Sequence, residues 1–147
     1  MSKAAQYDLV YRQLAALLEG ETDTVAKMAN LSAVLHGSFG FWWTGFYRVA
    51  GDELILGPFQ GPVACMHIPF GKGVCGTAWE RRETVVVPDV EAFPGHIACS
   101  SASRSEIVVP VFGPDGAVTA VLDIDSDRPG TFDGEDRLGL ERIVRLL

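Results

Sequence analysis

The run from Ser105 to Asp125 constrains the fold of this chain more than any other. It reads SEIVVPVF, then GPDG, then AVTAVLDID. Two stretches rich in β-branched residues flank a Gly-Pro-Asp-Gly turn, which predicts an antiparallel hairpin over 105–112 and 117–125. A hairpin cannot bury its own faces, so further strands and a covering layer must come from the rest of the chain. Residues 41–49, FWWTGFYRV, supply the next strand by composition. Ala50-Gly51-Asp52 is a turn, and 53–56 resumes as its return strand. Residues 57–62 are rich in Gly and Pro and predict a link. Residues 64–68 alternate again, with Ala64, Met66 and Ile68 on one side and Cys65 and His67 on the other. Gly71-Lys72-Gly73 leads into a short helix over 74–81, and 84–87 is a short strand ending at Pro88. Residues 89–104 show little periodicity; a loop of this length inside a domain is usually functional or mobile.

Helices bracket the strands. Tyr7, Val10, Tyr11, Leu14, Leu17 and Leu18 recur at helical spacing, with Gly20 as a stop. A second helix opens at Thr22 or Asp23, places Val25, Met28, Ala29, Ser32 and Leu35 on one face, and ends before Gly37. The last begins with Phe132 and Asp133 as staple and cap, and Leu140, Ile143, Val144 and Leu147 form its apolar stripe. The order predicts an α+β fold in one domain, 1–147: a mostly antiparallel sheet with the terminal helices on one side and loops on the other.

The net charge of −7 argues against nucleic-acid and anionic-membrane partners, which need clustered cations. No apolar run is long enough to span a bilayer, and the N-terminus lacks a signal-peptide core, so a cytoplasmic protein is expected. Three cysteines, Cys65, Cys75 and Cys99, fit poorly with a secreted disulfide framework; in a reducing compartment loop cysteines are more often reactive or metal-binding than structural.

Two constellations could carry chemistry. Asp123 and Asp125 share one face of the second hairpin strand. Glu106 lies opposite Asp123 if the turn is a four-residue loop, or opposite Asp125 if it is a two-residue loop. Either register gathers three acids on one face. Like charges across strands are unfavourable, so stability does not explain the trio. Such a cluster can bind an ammonium group, and crowding raises the pKa of a member until it can donate a proton.

The thiols are the second. Cys99 has His96 three residues before it and Arg104 five after, Cys75 stands at a helix start after Lys72, and Cys65 shares a face with His67. Positive charge or a helix N-terminus favours the thiolate. A metal site would use the cysteines with His67 or His96, but no spacing matches a zinc ligand pair, so no metal is expected. Trp42 and Trp43, adjacent in a strand, should face opposite sides; Tyr47 shares the Trp43 face, which could wall a ligand pocket.

The segments GPFQGPVAC, GKGVCG, HIAC, SEIVVP and VLDIDS, with cysteines ten and twenty-four positions apart, resemble the free methionine-(R)-sulfoxide reductases, enzymes built on a GAF domain. The resemblance runs from about Trp43 to the end of the chain. It implies thioredoxin-dependent reduction of free L-methionine (R)-S-oxide, with no bound cofactor. It implies Cys99 as nucleophile, left as a sulfenic acid, and Cys65 as the thiol that closes a disulfide with it. Cys75 would be a substrate neighbour or secondary resolving thiol. The pocket would use Trp43, Tyr47, Glu106, Asp123 and Asp125, with Trp43 against the S-methyl group. Homodimers are common among such proteins, and the amphipathic N-terminal helix could supply the interface. The family usually has an acid after the HIAC cysteine; here it is Ser100, and loss of that anion favours the Cys99 thiolate. The competing expectation is a non-catalytic GAF sensor of a small molecule or of redox state.

Overall fold

The hairpin is present, and its second strand lies in the middle of the sheet. The computed structural model describes residues 1–97 and 102–147. Two helices, α1 (Lys3–Leu17) and α2 (Thr24–Phe39), precede β1 (Trp43–Ala50), β2 (Glu53–Gln60) and β3 (His67–Pro69). Then come α3 (Gly73–Arg81), β4 (Val85–Val87), a 3-10 turn (Val90–Ala92), β5 (Ser105–Phe112), β6 (Val118–Ser126) and α4 (Gly134–Val144). The sheet has the order β3-β2-β1-β6-β5-β4, with every pair antiparallel.

Period-2 alternation gives the sheet two apolar faces. On one, Phe46, Ile107, Val109, Leu122 and Ile124 meet α1, α2 and α4 through residues such as Leu14, Leu31, Leu35, Leu140 and Ile143. On the other, Trp43, Tyr47, Val108 and Val121 meet α3 through Val74, Cys75 and Ala78. The terminal helices thus share one side, as expected, and α3 with its loops takes the other. Among the described residues no helix is long and apolar enough to cross a membrane.

The helix caps follow the sequence. Asp23 accepts from Ala26 N at the start of α2, and Asp133 with Asp136 forms a capping box on α4. Asp136 is buried between α4 and α1, where it accepts from Tyr7 Oη at 2.6 Å and Lys3 Nζ at 2.7 Å. The helices approach closely here because Gly139 has no side chain; a Cβ there would lie 2.3 Å from the Tyr7 ring.

Several local expectations fail for tertiary reasons. Helix α2 runs through Gly37 to Phe39 and is closed by the left-handed Gly40 (φ 68°). Stacking of Phe39 on Tyr7 (4.5 Å) and Phe41 (5.2 Å) supports the extra turn. Its buried face is Met28, Leu31, Ser32 and Leu35; Val25 and Ala29 are exposed. Leu17 is also exposed, and the apolar stripe of α1 that packs into the core is Tyr7, Val10 and Leu14, continued by Leu18 just beyond its end. Strand β2 continues across the expected Gly/Pro link to Gln60, paired with β1 through Gly45↔Phe59 and Thr44↔Gln60. Pro58 is tolerated because β3 pairs only with residues 53–55, which leaves an open edge beside it. The strand expected over 64–68 shrinks to His67–Pro69 and Met66 is exposed. The Cys65 carbonyl is instead taken by Tyr47 Oη at 2.9 Å.

Candidate active site

The acidic face of the hairpin closes one end of a pocket. In the ladders Asp125 lies between Trp43 of β1 and Glu106 of β5, and Asp123 lies between Gly45 and Val108. The register is therefore Glu106 opposite Asp125, the second of the two arrangements the sequence allowed. Gly45 has no side chain to cover Asp123. A Cβ there would sit 2.6 Å from the Trp43 ring and 2.3 Å from Phe59 Cβ, so the close approach of β2 to this face needs glycine.

The pocket holds about 570 Å³, part of it open to solvent. Trp42, Trp43 and Tyr47 form an aromatic wall, Val74 and Cys75 come from α3, and Glu106, Asp123 and Asp125 line the sheet side. Trp43 is stacked between Phe59 (5.2 Å) and Tyr47 (6.0 Å). Glu106 and Asp123 are buried, and Asp125 retains some exposure while accepting from Ser103 Oγ at 3.2 Å. One Asp123 oxygen, Oδ1, is buried with no hydrogen-bond partner among the described residues. His96 Nε2 lies 3.9 Å from Glu106 Oε1, too far for a hydrogen bond but close enough to feel its charge.

Burial pushes the Glu106 and Asp125 carboxyls well above the ordinary carboxylate range, and the Asp123 charge beside them adds to the shift. Asp123 is also raised, again by burial, although its contacts with Glu106 and Cys75 work against this. The cluster is thus a reservoir of protons beside an apolar wall. Burial raises the Cys75 thiol well above its usual value, and the neighbouring carboxylates raise it further. Cys75 is a free, buried thiol, held protonated and so a poor nucleophile. Cys75, Glu106 and Asp123 are also the described residues close enough to share a metal ion, with ligand atoms within 4.8 Å. This is not the cysteine–histidine set weighed from the sequence.

Of the residues expected from the sequence, Trp43, Tyr47, Cys75, Glu106, Asp123 and Asp125 line this pocket. Cys65 adjoins it: Ala64 lines the wall and Cys65 is disulfide-bonded. Cys99 and Ser100 fall within residues 98–101, outside the described residues. Trp42 corrects the strand expectation. Strand β1 begins at Trp43, so Trp42 is not bound by alternation and joins the same wall, with its Nε1 buried and without a hydrogen-bond partner among the described residues. Ser103 had no periodic pattern to mark it, and His96 was visible as a neighbour of Cys99 and as a possible metal ligand, not as a neighbour of Glu106.

A six-stranded antiparallel sheet with terminal helices on one face and a pocket on the other defines this class of domain, and a GAF-domain family model matches residues 19–147. The chain is 46% identical to the free methionine-R-sulfoxide reductase of Escherichia coli, over 100% of this chain and 89% of that one. It is 44% identical to the enzyme of that name from Saccharomyces cerevisiae, over 89% and 77%. The solved free methionine-R-sulfoxide reductase of Neisseria meningitidis, in complex with its substrate, superposes with a TM-score of 0.96 at 53% identity, covering 99% of this chain and 88% of that one. The chain belongs to the free methionine-R-sulfoxide reductase family of GAF domains.

Proposed function

We propose that this chain reduces free L-methionine (R)-S-oxide to L-methionine, drawing electrons from thioredoxin through a cysteine sulfenic acid and an intramolecular disulfide. The observation that carries the reading is the convergence of Glu106, Asp123 and Asp125 in a pocket walled by Trp42, Trp43 and Tyr47. A sulfoxide needs a proton on its departing oxygen, and carboxyls raised by burial can supply it. A free amino acid also carries an ammonium group that a methionine within a chain lacks, so an ionised carboxylate of the trio selects the free form. The aromatic wall suits the S-methyl group.

In this reading the Cys99 thiolate attacks the sulfoxide sulfur. The oxygen passes to Cys99 as a sulfenic acid, and methionine leaves. The Cys65 thiol then displaces that oxygen as water and a Cys65–Cys99 disulfide forms, which a thioredoxin dithiol reduces. Two findings support the division of labour: Cys65 is disulfide-bonded, and Cys75 is a free thiol held protonated in the pocket wall. No bound cofactor enters the cycle. The cytoplasmic setting follows from the need for a reducing partner. A homodimer belongs to the same reading, and light scattering on the purified protein tests it.

The experiment is NADPH consumption with thioredoxin and thioredoxin reductase. The R and S epimers of free methionine sulfoxide are offered separately, beside a blocked peptide form. Turnover of the free R form alone is expected. Activity on the peptide but not on the free R form sinks the proposal, and binding without turnover favours a sensor. Cys99→Ser should abolish turnover. Cys65→Ser should still release about one methionine per protein in a single turnover, since only resolution is blocked.

A further inference from the structure

Two side chains of the aromatic wall use their polar atoms to bind the backbone that carries Cys65. Tyr47 Oη donates to the Cys65 carbonyl at 2.9 Å, and Trp43 Nε1 donates to the Pro62 carbonyl at 3.0 Å. Between them the chain has no strand or helix, and Val63 and Met66 are 88% and 66% exposed, so little apolar burial fixes this segment. A further backbone tie is the bond from Leu56 N to Met66 O at 2.9 Å. At the near end Gly61 (φ 125°) lies flat against Trp43; a Cβ there would be 2.8 Å from the indole Cδ1 and 3.2 Å from Trp43 Cα. Trp43 and Tyr47 are themselves buried and stacked on each other, so both anchors belong to the rigid sheet. Burial also keeps the Tyr47 hydroxyl protonated, so it remains a donor across the physiological range.

We infer that Trp43 and Tyr47 are positioning residues for Cys65: they pin the backbone of residues 62–65 to β1 and so hold the Cys65 sulfur where it can close and reopen its disulfide. The inference rests on the reading of Cys65 as the resolving thiol. In that step Cys65 sulfur bonds to the sulfur of the sulfenic acid, the S–O bond breaks, and the oxygen leaves as water with the thiol proton and the hydroxyl proton. No outside oxidant is needed. Disulfide closure demands a narrow range of Cα and Cβ separations, so freedom in the backbone of Cys65 lowers the fraction of time its sulfur is in reach. The same two residues therefore serve both halves of the cycle, the ring as pocket wall and the polar atom as latch.

Tyr47→Phe separates the roles, because it keeps the ring and removes only the hydroxyl. The reduced protein is mixed with free methionine (R)-S-oxide. Methionine release is followed by quenched flow, and the sulfenic acid is trapped with dimedone. The expected result is a resolution step slowed about 5- to 10-fold more than methionine release, as for the loss of one hydrogen bond. Sulfenic acid then accumulates in the variant. Amide hydrogen exchange in residues 61–66 should rise about tenfold in the reduced variant, a readout that does not depend on turnover. Equal slowing of both steps, or unchanged exchange in 61–66, overturns the inference. Failure of the wild-type protein to release methionine overturns the reductase reading, while the exchange measurement still decides whether Tyr47 holds the segment.

Discussion

Glu106 and Asp125 face each other across the β5–β6 ladder, and burial pushes both carboxyls above their ordinary range. A protein gains no stability by setting two acids side by side out of water. In the proposed reaction the pairing serves as stored proton-donating capacity.

That arrangement has a pH signature. A carboxyl raised in the folded state binds its proton more tightly there than in the unfolded chain. Its stabilising contribution is complete below the unfolded value, 4.5 for Glu106, and declines as pH rises from there through the folded value. Urea unfolding of the wild type and Glu106→Gln from pH 5 to pH 8 checks this. The wild type should lose stability more steeply, and the variant should be the more stable of the two at pH 8. Parallel curves would contradict it. Turnover of the variant should fall by roughly 10²–10⁴-fold if Glu106 donates the proton.

Cys75 is buried among the same acids and should be chemically quiet. In a Cys65→Ser/Cys99→Ser double variant it is the sole thiol. Iodoacetamide at pH 7.5 should modify it at least about tenfold more slowly than free cysteine, because little thiolate is present. Rapid alkylation would return Cys75 to consideration as a nucleophile.

Gly45 tests the pocket floor. Gly45→Ala forces a methyl group against Phe59 and the Trp43 ring. We expect a loss of about 1–3 kcal/mol in urea unfolding, together with a raised KM, because Trp43 must shift. A loss of stability with KM unchanged would mean that Trp43 does not contact the substrate.

Asp136 tests the opposite face of the sheet. Asp136→Ala leaves the buried Tyr7 hydroxyl without its acceptor and releases Lys3. A cost of about 2–3 kcal/mol is expected in urea unfolding. Activity per folded molecule should hold, since α1 and α4 lie on the side away from the pocket.

Much of this molecule was legible in the residues themselves. Strand alternation put Glu106, Asp123 and Asp125 on one face whichever turn joined the hairpin, because a strand's side chains repeat every two residues regardless of what it pairs with. The caps at Asp23 and Asp133 were equally local, since a side chain reaching its own next turn needs no distant partner. Other features depended on partners far along the chain. Only the assembled sheet chose Asp125, over Asp123, as the neighbour of Glu106. Pairing with β1 carried β2 across Pro58, and starting that strand at Trp43 released Trp42 into the pocket wall. The proton affinity of the acids was likewise set in three dimensions, because a carboxyl's pKa reports the water it has lost and the charges brought beside it.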